Sequence, residues 1–108
     1  MKRFATLTKL KPGAKAEYIK IHGEIWEDIV KINDACNMHN FTIFCHDDYL
    51  FSYFEYTGDN YEADAAKKIA SPIIAKWKEF TGQYTEPVFD DIKVIMLEEI
   101  WHHDFTSK

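Results

Sequence analysis

Two hydrophobic periods alternate along the chain. Residues 3–10, Arg-Phe-Ala-Thr-Leu-Thr-Lys-Leu, are β-branched and apolar and precede Lys11-Pro12-Gly13, which predicts a strand followed by a turn. From 14 to 35 the spacing becomes helical. Tyr18, Ile21, His22, Ile25, Ile29 and Ile32 fall on one face of a single long helix, with Glu17, Lys20, Glu24, Glu27, Asp28 and Lys31 on the solvated side. Residues 39–46 and 49–57 return to strand patterning, rich in aromatic side chains, with His46-Asp47-Asp48 as the turn of a hairpin. Gly58-Asp59-Asn60 ends the hairpin, and Asp59 or Asn60 caps a helix running from Tyr61 to about Ile69. Ser71 as N-cap and Pro72 as first helical residue start another helix, which carries Ile73, Ile74, Trp77 and Phe80 and stops at Gly82. Residues 83–90 read as an irregular loop around Pro87, 92–101 as a last strand, and Ser107-Lys108 as a loose tail.

This order is βαββαβ, an α+β chain of ferredoxin-like topology in one domain spanning 1–108. Helices then cover one face of the sheet and leave the other bare. A second copy of the chain is the economical cover, so the pattern predicts a homodimer whose two sheets pack into a barrel-like core. Composition supports that expectation at one point: aromatic residues make up 16% of the chain. Some of those rings exceed the needs of one small core, which favours a subunit interface or an aromatic-walled pocket. The net charge of −5, with no basic block, argues against a nucleic-acid partner. No apolar segment follows Met1-Lys2-Arg3, and no uncharged run reaches membrane length, so a cytoplasmic protein with no membrane partner is expected. Cys36 and Cys45 are too few for a disulfide scaffold.

His22 carries the clearest chemical signal. It sits on the apolar helix face, four residues after Tyr18 and four before Trp26, so Tyr18 stacks over it and Trp26 stands at the edge of that face. An imidazole there requires a hydrogen bond, and its ordinary pKa makes it a proton carrier at neutral pH. A core histidine bonded to the sheet or to Tyr18 is the structural alternative. Glu55 interrupts the aromatic strand Phe51-Ser52-Tyr53-Phe54-Glu55-Tyr56. Pointing inward, it shares a concave volume with His22 as an acid and base pair; pointing outward, it meets solvent or a lysine. In the last strand, one of Glu98 and Glu99 faces inward and the other outward.

Metal ligation has weaker support. His39 and His46 are seven apart on one hairpin, an odd spacing that sets them on opposite faces. His102-His103-Asp104 offers no zinc spacing. Cys45 and His46 face opposite ways on a strand, so they form no nucleophile pair, and Cys36 reads as a small buried hydrophobe. No phosphate-binding glycine loop is present.

In order and at matching distances, these residues resemble the L-rhamnose mutarotase family across nearly the whole chain. Glu17-Tyr18, His22 and Ile25-Trp26 match E-Y-x-x-x-H-x-x-I-W, and His39-Asn40-Phe41-Thr42-Ile43-Phe44 is similar to the N-Y-x-I-F strand. Leu50-Phe51 with Glu55 resembles L-F-x-x-x-E. Tyr61-Glu62-Ala63-Asp64, then Ser71-Pro72 and Lys76-Trp77, resemble Y-E-A-D and D-P-x-x-x-x-W-W. The resemblance implies a homodimer that interconverts the α and β anomers of a 6-deoxyhexose by acid–base ring opening and reclosure, without cofactor or metal. It implies His22 as general acid, Tyr18 as a sugar-binding residue and Trp77 as the first of two pocket tryptophans. Trp26, Phe41, Lys78 and Glu55 complete the expected substrate-binding set. The chain also departs from the pattern. Lys78 replaces the second tryptophan, Phe41 the strand tyrosine, Glu27 a proline and Ile21 an arginine. L-rhamnose is thus the first expected sugar and L-fucose the second. A non-catalytic sugar or small-ligand binder is the alternative, followed by a cofactor-free monooxygenase on the same fold.

Overall fold

The computed structural model describes residues 1–103 of the chain, so Asp104 and the expected loose tail Ser107-Lys108 lie outside the described residues. The elements run β1 (Lys2–Leu10), α1 (Lys15–Gly23), α2 (Glu27–Ala35), β2 (Met38–His46), β3 (Tyr49–Tyr56), α3 (Tyr61–Ile69), α4 (Pro72–Gly82), β4 (Thr85–Glu86) and β5 (Ile95–Leu97). The sheet is antiparallel in the order β2-β3-β1-β4, with β5 also on β1. That order is the ferredoxin-like one expected from βαββαβ.

Cross-strand register assigns each residue to a face. One face carries Phe4, Thr6 and Thr8 beside Phe54, Ser52 and Leu50. It packs under the helices, with Cys36, Met38 and Tyr56 buried against Ile32, Tyr61 and Ala65. The other face carries Ala5 and Leu7 beside Tyr53 and Phe51, flanked by Thr42 and Phe44 of β2 and by Leu97 and Ile95 of β5. Cys36 is 1% exposed, the small core residue anticipated for it.

Three expectations are corrected. The predicted single helix over 14–35 is two helices, broken between Gly23 and Trp26. Glu24 leaves helical geometry at φ −115° and ψ 33°, and Trp26 is extended at φ −64° and ψ 134°. Glu27 and Asp28 then occupy the first turn of α2, where the helix dipole favours negative charge. The break turns Trp26 onto the rings of Trp77 and Phe80, at 5.0 and 5.8 Å between centroids, and this aromatic packing outweighs the continuity of one helix.

The predicted last strand over 92–101 shrinks to Ile95–Leu97, while β4 appears inside the stretch expected to be irregular. Thr85 and Glu86 pair with Leu10 and Lys9 at one end of β1, and β5 pairs with Ala5–Leu7 further along. Residues 87–94 loop out between them, closed by Phe89 and Ile92 and by Asp90 at φ 51°. Glu98 and Glu99 follow the strand rather than alternating on it.

The third correction concerns parity. In β2, Asn40 and Phe41 stand opposite Phe54 alone, because the register shifts between His39 and Thr42. This is a β-bulge, and Asn40 takes the left-handed backbone (φ 56°) that asparagine tolerates. The extra residue places His39, opposite Glu55, and His46, opposite Tyr49, on the same face.

The expected capping residues hold their places in different ways. The side chain of Asn60 accepts from the Ala63 N–H at 3.1 Å. Ser71 occupies the N-cap of α4 without a side-chain bond, ahead of Pro72. Among the described residues no helix is long and apolar enough to cross a membrane.

Candidate active site

A cavity of about 580 Å³ opens between the helices and the sheet. α1 contributes Tyr18 and His22, α2 contributes Ile29 and Asn33, and the two long hairpin strands contribute Phe41, Ile43 and Ser52. Lys68 comes from α3; Ile74, Trp77, Lys78 and Thr81 come from α4. This apolar wall with a few polar groups, at a volume suited to a small molecule, has the character of a ligand site.

The i, i+4 spacing of Tyr18 and His22 brings their rings to 4.3 Å. His22 Nδ1 lies 2.9 Å from the Tyr18 carbonyl oxygen. A carbonyl only accepts, so Nδ1 carries the proton and donates it, which leaves Nε2 as the nitrogen for a ligand. The edge of Trp77 meets the imidazole at 5.5 Å and 72°. His22 therefore has both a fixed tautomer and packed neighbours. Burial pushes the Tyr18 hydroxyl above its ordinary pKa, so it stays a neutral hydrogen-bonding group.

Five of the residues singled out in the sequence line this one cavity: His22, Tyr18, Phe41, Trp77 and Lys78. Phe41 arrives there through the bulge, its ring 4.8 Å from that of Phe54. Trp26 is placed differently, behind Trp77 and against Phe80, where it fixes the wall rather than forming it.

Glu55 is not brought into the cavity. It alternates with the buried Tyr56 and so lies on the opposite face of the sheet. There it accepts hydrogen bonds from Asn40 Nδ2 at 2.6 Å and from the Tyr53 hydroxyl at 2.7 Å. These two bonds hold its carboxyl below the ordinary carboxylate range. Glu99 is likewise held low by Arg3, whose guanidinium bonds both its oxygens at 2.7 and 3.3 Å.

Sequence reading missed Lys68 and Asn33. Lys68 follows Tyr61 and Ala65 at i+7 and i+3, on the stripe of α3 that packs on the core. A lysine at that position was the available signal. Its ammonium sits 4.8 Å over the Phe41 ring centroid. Burial, then the Lys78 charge, holds its pKa down to about 8. Asn33 follows Ile29 by four residues, and its Oδ1 is buried with no protein partner. A buried amide oxygen of that kind is a ready acceptor for a ligand hydroxyl. Among the described residues no three His, Cys, Asp or Glu side chains converge as metal ligands.

The profile of the L-rhamnose mutarotase family matches residues 3–103. An L-rhamnose mutarotase of Phocaeicola vulgatus is 32% identical, covering 96% of this chain and 100% of its own length. One from Opitutus terrae is 30% identical with the same coverage. Among solved structures, an L-rhamnose mutarotase of Formosa agariphila superposes with a TM-score of 0.79 at 22% identity, covering 96% of this chain and all of that one. Tetracenomycin F2 cyclase of Streptomyces glaucescens gives 0.74 at 15% identity, over 98% of this chain and 100% of its own. The last comparison shares the fold alone, and it shows that this fold hosts unrelated chemistries. With the family profile matched by residues 3–103 of its 108, the chain belongs to the L-rhamnose mutarotase family.

Proposed function

We propose that this protein interconverts the α and β anomers of an aldopyranose, with His22 as the proton carrier and L-rhamnose and then L-fucose as the first sugars to test. The observation that carries this reading is the His22 imidazole on the cavity wall, its Nδ1–H donated to the Tyr18 carbonyl and its Nε2 left for substrate. Family membership supports it.

The chemistry needs one well-held acid and base. Protonated Nε2 gives its proton to the ring oxygen as the C1–O5 bond breaks, and the anomeric hydroxyl loses its proton to water as C1=O forms. Rotation about C1–C2 turns the aldehyde over. The ring hydroxyl then attacks the other face of C1 and returns its proton to Nε2, while O1 is reprotonated. One positioned acid–base group contributes roughly 100- to 10,000-fold to such a step. Trp77 and Phe41 supply apolar surface for the sugar ring, while Tyr18, Asn33, Ser52 and Thr81 supply hydroxyls and amides for its oxygens.

The assembly we propose is a homodimer through the open sheet face, where Phe44 and Phe51 remain 65% and 41% exposed. The cytoplasm is the proposed compartment, in keeping with two free cysteines. NMR exchange between the α and β anomeric proton signals tests the activity. Exchange faster than the spontaneous rate for L-rhamnose or another aldopyranose is the expected result. Spontaneous rates with every aldose, neutral and charged, overturn it and leave a sugar-binding relative.

A further inference from the structure

The chain is acidic, with 18 Asp and Glu against 13 Lys and Arg. Its cavity nevertheless inverts that balance: Lys68 and Lys78 line it, and among the described residues no carboxylate does. Among the described residues neither lysine has an ion-pair partner; the carboxylate pairs go instead to Arg3, Lys9, Lys31, His39 and His46. Lys68 is half-buried and rests on the Phe41 ring. The two ammonium groups are brought together by separate helices, α3 and α4. Like charges in one cavity repel, and the repulsion is strengthened where water is scarce. Burial and the Lys78 charge together hold Lys68 down to about 8, so the protein tolerates an unfavourable arrangement here. A neutral sugar leaves that repulsion unrelieved, whereas an anionic oxygen group offsets it.

We propose that the cavity takes an anionic aldopyranose, a sugar carrying a carboxylate or phosphate group, and that Lys68 and Lys78 select it. This rests on the sugar reading of the same cavity and names its substrate class. The imidazole comes from α1 and the ammoniums from α3 and α4, so the acid–base group and the anion site are contributed by different elements. Of the four positions at which the chain leaves the family pattern, Phe41, without a hydroxyl, and Lys78 lie at this cationic part of the wall, whereas Ile21 and Glu27 do not line the cavity.

The test measures binding and exchange on the same samples. Titration calorimetry compares D-glucuronate and D-glucose 6-phosphate with D-glucose and L-rhamnose at one ionic strength. Anomeric NMR exchange is recorded for each. One anionic sugar is expected to bind at least about tenfold tighter than both neutral ones, the scale of a single charge-assisted hydrogen bond. The glucuronate and phosphate arms show which anion fits. Lys78→Gln, at an exposed helix position, and Lys68→Met are each expected to cut the anionic-to-neutral affinity ratio by about tenfold. L-rhamnose binding at least as tightly as both anions overturns the inference, as does a ratio unchanged in both variants. Lysine-dependent anion binding without faster exchange upholds it and sinks the mutarotase reading. Faster exchange with neutral sugars, with no anion preference, does the reverse.

Discussion

The two faces of the sheet are alternate residues of the same strands, yet they sort charge in opposite ways. Under the helices, the cavity holds two ammonium groups, an imidazole and, among the described residues, no carboxylate. On the open face the acids are present and satisfied: Glu55 by Asn40 and Tyr53, Glu99 by Arg3, and Glu86 by Lys9 at 3.5 Å. Between those acids runs an apolar strip of Leu7, Phe51 and Phe44, in register across three strands. The open face is thus organised for adhesion, apolar at its middle and neutralised at its margins. Among the described residues the cavity keeps unsatisfied groups: Asn33 Oδ1 has no hydrogen-bond partner and neither lysine has an ion pair. Polar groups left incomplete in a concave site point to a ligand, while completed ones point to stability or assembly.

The largest expected effect lies at His22. His22→Gln keeps a polar side chain of similar reach but removes the proton carrier. Anomer exchange is expected to fall by roughly 100- to 10,000-fold, with the circular dichroism spectrum unchanged. A folded variant with full activity would return His22 to the role of a core histidine. On the other face, Phe51→Glu places a charge in the middle of the apolar strip. The dimer is expected to weaken by about 3 kcal/mol, read as a shift toward monomer in sedimentation velocity. A persistent dimer would move the interface elsewhere.

Below these in size is a contact at the sheet's end. A Cβ on Gly58 would run into the Tyr56 hydroxyl and lie 2.8 Å from Asp64 Oδ2, where the Tyr56 hydroxyl donates to Asp64 at 2.5 Å. Gly58→Ala is therefore expected to cost about 2 kcal/mol in urea unfolding, and wild-type stability would show that the loop gives way. The smallest effect separates the faces by pH. Lys68 is held at about 8 against an ordinary 10.5, so between those values the unfolded chain carries a proton that the folded one lacks. Stability contributed by this group rises as pH increases through that window. The open-face acids are also shifted down, but in the acid range: Glu55 and Glu99 are held low, so their contribution is present above the ordinary carboxylate pKa and is lost on acidification. Lys68→Met should flatten the alkaline rise and leave the acid limb unchanged in pH-dependent thermal unfolding.

Local features were legible because they depend on near neighbours. The strand and helix periods announced the element order, Pro72 marked the start of α4, and the four-residue spacing of Tyr18 and His22 is a property of any helix that contains them. The stripe position of Lys68 was equally open to inspection. The break at Trp26 was not, because it depends on Trp77 and Phe80, some fifty residues away in the chain.

Near-neighbour patterns in the chain were enough to set the α+β order, the apolar helix face that presents His22, and most of the residue types lining the cavity. Tertiary structure alone decided which of them meet. The bulge at Asn40 and Phe41 changed the parity of β2 and sent Phe41 inward. Pairing with β1 fixed Glu55 on the outer face. The packing of α3 against α4 brought two lysines of unlike neighbourhoods into one cavity. Strand facing has a period of two, so a single inserted residue inverts it, and charge repulsion depends on a distance that no local pattern contains.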